Sequence, residues 1–260
     1  MDLDQKKSLS YWKERIVNGD NELSSVLYYS GSNILNESYD KWEKEVLEEI
    51  INTMKTKTIY ALDWPCGNGR HTAFLESKTD KLVSADLDLA ILDLAKRKSI
   101  KENSNFVKGN IDTIKFEYTY DLILCTGLFE HIPLRQVNNY IKRASENLKE
   151  NGLFVIAINN SNSKILKKSE DNIYRKGIQL ENGYFCNITD LEHVKRCLTE
   201  NQLNINRIYS NPFMTVLRHL ECKERKLWKE AIFNDLKYFN RVNIDYMSDH
   251  LILVCEKVKK

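Results

Sequence analysis

One short stretch constrains the chain more than any other: Thr58-Ile59-Tyr60-Ala61-Leu62-Asp63-Trp64-Pro65-Cys66-Gly67-Asn68-Gly69-Arg70. An apolar run rich in β-formers ends on an acid. A tight loop with two glycines follows at once, and then a segment able to start a helix. Strand, glycine loop and helix in that order make the nucleotide-binding corner of an α/β sheet. Gly67 and Gly69 let backbone approach a ligand where a β-carbon would collide. The N–H groups opening the next helix point into the same space. A dinucleotide site wants G-x-G-x-x-G, but counting from Gly67 gives Gly69 and then Thr72, so the third glycine is missing.

Asp63 separates the ligand classes further. A carboxylate at the strand end would repel a pyrophosphate, whereas an ammonium or sulfonium would be attracted to it. The stretch resembles motif I of the class I S-adenosylmethionine-dependent methyltransferases, acid-x-G-x-G-x-G, with Pro65 where the first glycine normally lies. Proline fixes its own φ and removes one N–H, so the loop entrance is stiffer than the family pattern. The resemblance implies S-adenosyl-L-methionine as cofactor. It places Asp63, Trp64, Cys66, Gly67 and Gly69 around it.

The next segments fit the same frame. Lys81-Leu82-Val83-Ser84-Ala85-Asp86 reads as a second strand ending on an acid 19 residues beyond Gly67, placed to accept both ribose hydroxyls. An NAD site would use Asp86 in the same way, and a bland alternative is that it caps the following helix. Leu87 follows, where an apolar side chain covers one face of adenine. Asn105–Lys108 reads as a third strand, followed by Gly109-Asn110-Ile111. The family usually has G-D-h there, its Asp accepting the adenine amino hydrogen. The amide oxygen of Asn110 can do the same, and Ile111 supplies the apolar border. A plain turn suits Gly-Asn equally well.

Tyr120–Cys125 reads as the fourth strand, continued by Thr126-Gly127-Leu128-Phe129-Glu130-His131-Ile132-Pro133. Many small-molecule methyltransferases are similar here, with x-x-x-E-H-h-P after the strand. The resemblance puts this strand end, with Cys125, beside the transferring methyl. His131 is then the leading candidate for a base that removes a proton from a high-pKa acceptor, with Glu130 beside it. A structural role for His131 at a helix start is the alternative. In some similar quinone O-methyltransferases the Glu-His pair helps to hold a divalent metal, but too few other ligands stand near it here, and no metal is assigned.

An amphipathic helix carrying Val137, Tyr140, Ile141, Ala144 and Leu148 comes next, closed by Asn151-Gly152 as a left-handed cap. Leu153–Asn159 is a fifth strand apolar on both faces. Residues 161–185 are polar and irregular and read as an insert at the substrate end. Thr189-Asp190-Leu191-Glu192 is a capping box opening a helix to about residue 200. Leu203–Tyr209 is a sixth strand, a helix from about Val216 to Phe239 follows, and His250–Cys255 is the last strand. The resemblance implies a doubly wound, Rossmann-like α/β sheet of seven mostly parallel strands, the last antiparallel, with helices on both faces.

Before the first strand, residues 8–17 read as a short helix carrying Trp12, 18–37 as loop, and the segment with Trp42, Val46, Leu47, Ile50 and Met54 as an amphipathic helix. In the family such segments often fold over the cofactor, so Trp12, Tyr28 or Tyr29 is expected to close the site or to pack on the sheet edge. The chain thus divides into a helical N-terminal lid, 1–57, and a methyltransferase domain, 58–260.

Basic and acidic residues nearly balance, 39 against 37, with no sustained basic stripe. Nucleic acid is therefore not an expected partner, and the Asn/Asp-Pro-Pro-aromatic signature of base methylation is absent. No apolar run approaches a membrane span and no signal peptide is evident. The six cysteines lack C-x-x-C spacing, as expected for reduced thiols in a cytoplasmic protein. The function expected is methyl transfer to an oxygen or nitrogen of a small-molecule acceptor, with homodimer formation open. An NAD-dependent oxidoreductase and a cofactor-binding, non-catalytic partner protein are the alternatives.

Overall fold

The computed structural model describes residues 3–19, 22–27, 33–102, 104–161, 181–185, 190–211 and 250–258. Tyr28, Tyr29, most of the expected insert, Thr189, Cys186, Cys222 and the expected helix over 216–239 lie outside them. The elements are α1 (Leu3–Val17), α2 (Glu22–Val26), α3 (Asn33–Thr53), β1 (Tyr60–Asp63), α4 (Thr72–Lys78), β2 (Lys81–Asp86), α5 (Leu89–Arg97) and β3 (Asn105–Lys108). After these come β4 (Tyr120–Thr126), a one-turn 3-10 helix (Phe129–His131), α6 (Leu134–Asn147), β5 (Leu148–Asn159), α7 (Leu191–Glu200), β6 (Leu203–Asn211) and β7 (His250–Lys257).

The strands form a seven-stranded sheet in the order β3-β2-β1-β4-β5-β7-β6. β1 to β5 run parallel, and β7 inserts antiparallel between β5 and β6. The fold class expected from the sequence is the fold observed. Strand side chains alternate between the two faces. Leu62, Ile123, Phe154 and Leu253 join Val137, Tyr140 and Ile141 of α6 and Val194 and Leu198 of α7. Ala61, Leu122, Val155 and Ile252 pack instead on Trp42, Val46, Leu47 and Ile50 of α3. Helices therefore cover both faces, as the near-continuous apolar strands require.

Several boundaries differ from the sequence reading. α1 starts at Leu3 rather than residue 8, and the expected loop over 18–37 contains α2 and the first turn of α3. α6 stops at Asn147 because Leu148 already pairs with Tyr120. Asn151 does adopt a left-handed φ of 59°, but inside β5, where its pairing with β4 shifts register, rather than as the cap of α6. The N-cap of α7 is Asp190, whose side chain accepts from the Glu192 N–H. That places the cap one residue later than a capping box led by Thr189 would.

Candidate functional site

β1 and β4 are neighbours, so the glycine loop and the Glu130-His131 turn emerge side by side at the carboxyl edge of the sheet. Open α/β sheets place ligands at this edge. Gly67 and Gly69 have φ of +52° and +76°. A β-carbon at Gly69 would lie 2.6 Å from Ala95 Cα of α5, so glycine is what lets the loop pack there. At Gly67 the nearest atom to such a β-carbon is Val26 Cγ1 of α2, at 3.8 Å. The turn is closed by Gly69 N–H donating to the Cys66 carbonyl (3.0 Å).

Asp63 ends β1 buried, and neither of its carboxylate oxygens has a hydrogen-bond partner. Burial pushes its pKa up to about 8, against the pull of Arg70, with Asp86 and Glu43 adding repulsion. Asp86, at the matching end of β2, accepts from Gly67 N–H (3.0 Å) and Leu87 N–H (2.7 Å). Burial raises its pKa while those N–H groups lower it. The helix-capping role considered for Asp86 belongs to Asp88, which accepts from Ala90 and Ile91 N–H at the start of α5. Asn110 and Ile111 follow β3, and Gly109 N–H donates to the Asp86 carbonyl. Asn110 Oδ1 accepts from Asp112 N–H (2.9 Å), the turn geometry, which leaves this oxygen its second lone pair.

Two residues assigned to the cofactor face elsewhere. Strand alternation continues past β1, so Trp64 shares the face of Leu62: its ring packs on Tyr140 and Phe116, with centroids 4.4 and 5.2 Å away. Trp64 N–H donates to the Leu124 carbonyl, and its own carbonyl accepts from Tyr140 Oη, so its backbone polar groups are also engaged. Cys125 is buried on that same face, its thiol pushed well above the ordinary range by burial. Both are core residues. Cys66 packs with Leu92, Ala95 and Phe106 under the loop, its N–H donating to the Ala85 carbonyl.

The sequence reading missed a buried charge cluster that ties α3 to the loop. Arg70 Nη2 lies 2.5 Å from Glu43 Oε2, and Nη1 lies 3.0 Å from Asp40 Oδ1. His71 Nε2 is 3.4 Å from the same Glu43 oxygen. Burial alone would raise the pKa of Glu43, yet Arg70 and His71 bring it down to about 2. The signal was available, because Glu43 sits on the apolar stripe of α3 between Tyr39 and Val46, where a charge needs a partner.

At the end of β4, Glu130 is buried, Oε1 accepting from Asn159 N–H (3.0 Å) while Oε2 has no partner. Burial raises its pKa to about 7. Burial and Arg15 hold His131 down at about 4, although its bond to Phe185 favours the charged form. Its Nδ1 lies 3.0 Å from the Phe185 carbonyl. Trp12 of α1 packs on the His131 ring (4.5 Å between centroids), and Tyr184 lies 5.9 Å away. Trp12 therefore lies over the Glu-His turn and not on the sheet edge. Tyr184, Phe185 and Asn159 carried no motif that would have singled them out. Among the described residues no group of three His, Cys, Asp or Glu could hold a metal ion, and no helix is long and apolar enough to cross a membrane.

The residues fit an adenosyl ligand with a cationic end. Asp63 offers a buried, unpartnered carboxylate, and Asp86 a second acid one strand over. A pyrophosphate would meet the same two acids with Glu43 behind them.

The chain is also similar to known methyltransferases. Residues 61–152 match a protein family described as a methyltransferase domain. A malonyl-[acyl-carrier protein] O-methyltransferase of Priestia megaterium is 27% identical over 122 residues, 45% of this chain and 44% of that protein. The match thus spans less than half the length of that relative. Among solved structures, magnesium protoporphyrin IX methyltransferase of Synechocystis PCC 6803 with bound S-adenosylhomocysteine superposes with a TM-score of 0.60 at 12% identity, covering 98% of this chain and 96% of that one. Geranyl diphosphate C-methyltransferase of Streptomyces coelicolor A3(2) gives 0.63 at 13% identity, covering 99% and 98%. At such identities the likeness is one of fold.

Proposed function

We propose that this chain, which carries a methyltransferase domain and the class I S-adenosylmethionine-dependent methyltransferase fold, transfers a methyl group to an oxygen or nitrogen of a small-molecule acceptor by in-line displacement. The observation that carries the reading is Asp63, a buried carboxylate without a hydrogen-bond partner beside a two-glycine loop. In this proposal Asp63 faces the ammonium of the cofactor, Asp86 takes the ribose hydroxyls, and Leu87, Asn110 and Ile111 border adenine. Gly67 and Gly69 keep the backbone clear of it. α1 and α2, which reach the Glu130-His131 turn and the glycine loop, act as the lid. α3 belongs to the domain itself because it covers one face of the sheet, so the lid is shorter than the expected 1–57.

When bound, S-adenosylmethionine supplies a methyl group on an excellent leaving group, so the chain need form no covalent intermediate. Alignment of the acceptor is the main task, and proximity of this kind is worth about 7–11 kcal/mol in favourable cases. An acceptor of high pKa also has to lose a proton. Glu130, with a pKa near 7 and Oε2 unpartnered, is matched to accept it near neutral pH. His131, held near 4, resists protonation and fits the role of a neutral hydrogen-bonding and stacking partner better than that of the base expected from sequence. The near-balance of charge favours a small molecule over nucleic acid, and cytoplasmic placement follows from the reading of free thiols.

The test is calorimetric titration of the protein with S-adenosylmethionine, S-adenosylhomocysteine and NAD in parallel. Saturable binding of both adenosyl compounds and none of NAD is expected. Binding of NAD alone would overturn the assignment of Asp63, and binding of none would remove the cofactor site.

A further inference from the structure

The polar atoms at the end of β4 are selective in sign. Phe185 offers its carbonyl 3.0 Å from His131 Nδ1. A carbonyl only accepts, so the ring proton must sit on Nδ1, leaving Nε2 as a bare lone pair. Nε2 has no partner among the described residues, and neither has Glu130 Oε2. Both are acceptors. Trp12, whose ring packs on His131 from α1, also has a buried indole N–H without a partner. A hydroxyl or an amine both donates and accepts, so it suits the two sides together. A carboxylate only accepts and would set its lone pairs against His131 Nε2 and Glu130 Oε2, while the Arg15 guanidinium that bears on His131 is engaged by the Ser24 and Leu27 carbonyls.

The Phe185 carbonyl is held in place by α1. Ser8 Oγ donates to the Gly183 carbonyl (3.2 Å), and Tyr184 packs on Tyr11 (5.1 Å). Gly183 has φ of +90°, and a β-carbon there would run into the Lys7 carbonyl. Only glycine allows α1 and residues 183–185 to lie this close.

From this geometry we infer that α1 and residues 183–185 form a clasp that fixes His131 as its Nδ1–H tautomer, and that the site thereby selects an aromatic hydroxyl or amine acceptor over a carboxylate. The aromatic part follows from the rings that frame the turn: Tyr11, Trp12 and Tyr184. The inference rests on the reading of the β4 end as the acceptor site. Gly183 and Ser8 are positioning residues, acting through Phe185 on His131.

Long-range 1H–15N correlation spectra of protein labelled with 15N-histidine and saturated with S-adenosylhomocysteine read the tautomer directly. The His131 ring should appear as Nδ1–H and stay neutral at pH 6. Gly183→Ala should make Nε2–H the major form, and the milder Ser8→Ala should shift the balance partway. Added phenol should move the Nε2 resonance, while added benzoate should not. An Nε2–H ring in the unmodified protein, or a ring unaltered by Gly183→Ala in a protein that still binds S-adenosylhomocysteine, would overturn the clasp. A benzoate response equal to that of phenol, or no response to either, would overturn the acceptor class. S-adenosylhomocysteine affinity, measured in the same samples, reports separately on the cofactor reading.

Discussion

The glycine loop and the Glu130-His131 turn sit at the same edge of one sheet, yet they are held in opposite ways. The loop is fixed by charge: Arg70 is locked between Glu43 and Asp40, and Asp86 grips Gly67 N–H across 19 residues. The turn is fixed by neutral contacts gathered from distant segments, with Trp12 from α1 and Phe185 from 54 residues further along. Charge pairing makes the first region rigid and dependent on its partners. Ring packing, the Phe185 carbonyl and one bond from Asn159 N–H to Glu130 make the second easier to rearrange, which suits the proposed acceptor site.

The largest effect should come from breaking the charged half. Glu43→Ala leaves Arg70 buried with only Asp40 as a counter-charge. Removing one partner of a buried pair typically costs about 3–5 kcal/mol, and urea unfolding followed by tryptophan fluorescence should show a loss in that range. A loss under about 1 kcal/mol would mean that Glu43 adds little to what Asp40 already provides. His131→Ala, the matching cut in the other half, should destabilise less.

Next in size is a cut at the turn that should spare the loop. Glu130→Gln keeps an oxygen for the Asn159 N–H but removes the proposed proton acceptor. Turnover should fall on the order of 100-fold, and a pH limb near 7 should vanish, while S-adenosylhomocysteine affinity stays unchanged. A full-rate variant would mean that another base acts, or that the acceptor needs none. The reciprocal cut is Asp86→Ala, expected to weaken cofactor binding by about 1.5–3 kcal/mol through lost charged hydrogen bonds. Unchanged binding in calorimetry would remove Asp86 from the site.

The two halves also differed in how far the sequence revealed them. The places of Asp63 and Asp86 at strand ends and of Gly67 and Gly69 in the turn were legible because strand ends and glycine turns are local events with fixed spacing. The sheet order was legible through the resemblance, including β7 between β5 and β6. Trp64 and Cys125 were misplaced because side-chain direction depends on strand register, and period-two alternation from Leu62 and Ile123 turns both into the core. The α2 segment, Glu-Leu-Ser-Ser-Val, is too short and polar to carry a helical period. Tyr184 and Phe185 could not be found at all, because their role arises only when α1 and the β4 end meet.

The smallest effect tests the contrast most finely, through the proton on Asp63. With a pKa of about 8 in the cofactor-free protein, this carboxyl is roughly ten to one protonated at pH 7. Its ordinary value is near 4, so the folded, cofactor-free state holds the proton more tightly than the unfolded chain does. This group's contribution to stability is therefore complete below about pH 4 and is lost as pH rises toward 8. An ammonium beside Asp63 reverses the preference, because the ion pair needs the carboxylate. Binding of S-adenosylmethionine at pH 7 should therefore release close to one proton, seen as a dependence of the calorimetric heat on buffer ionisation enthalpy. Affinity should rise with pH up to about 8, by roughly 1.4 kcal/mol for each unit below it. Asp63→Asn should abolish the proton release, weaken binding, and make the cofactor-free protein more stable than the unmodified one at pH 8. If binding released no proton, or if the Asn variant bound equally well, the buried carboxylate would be a feature of the core rather than the counter-charge of the cofactor.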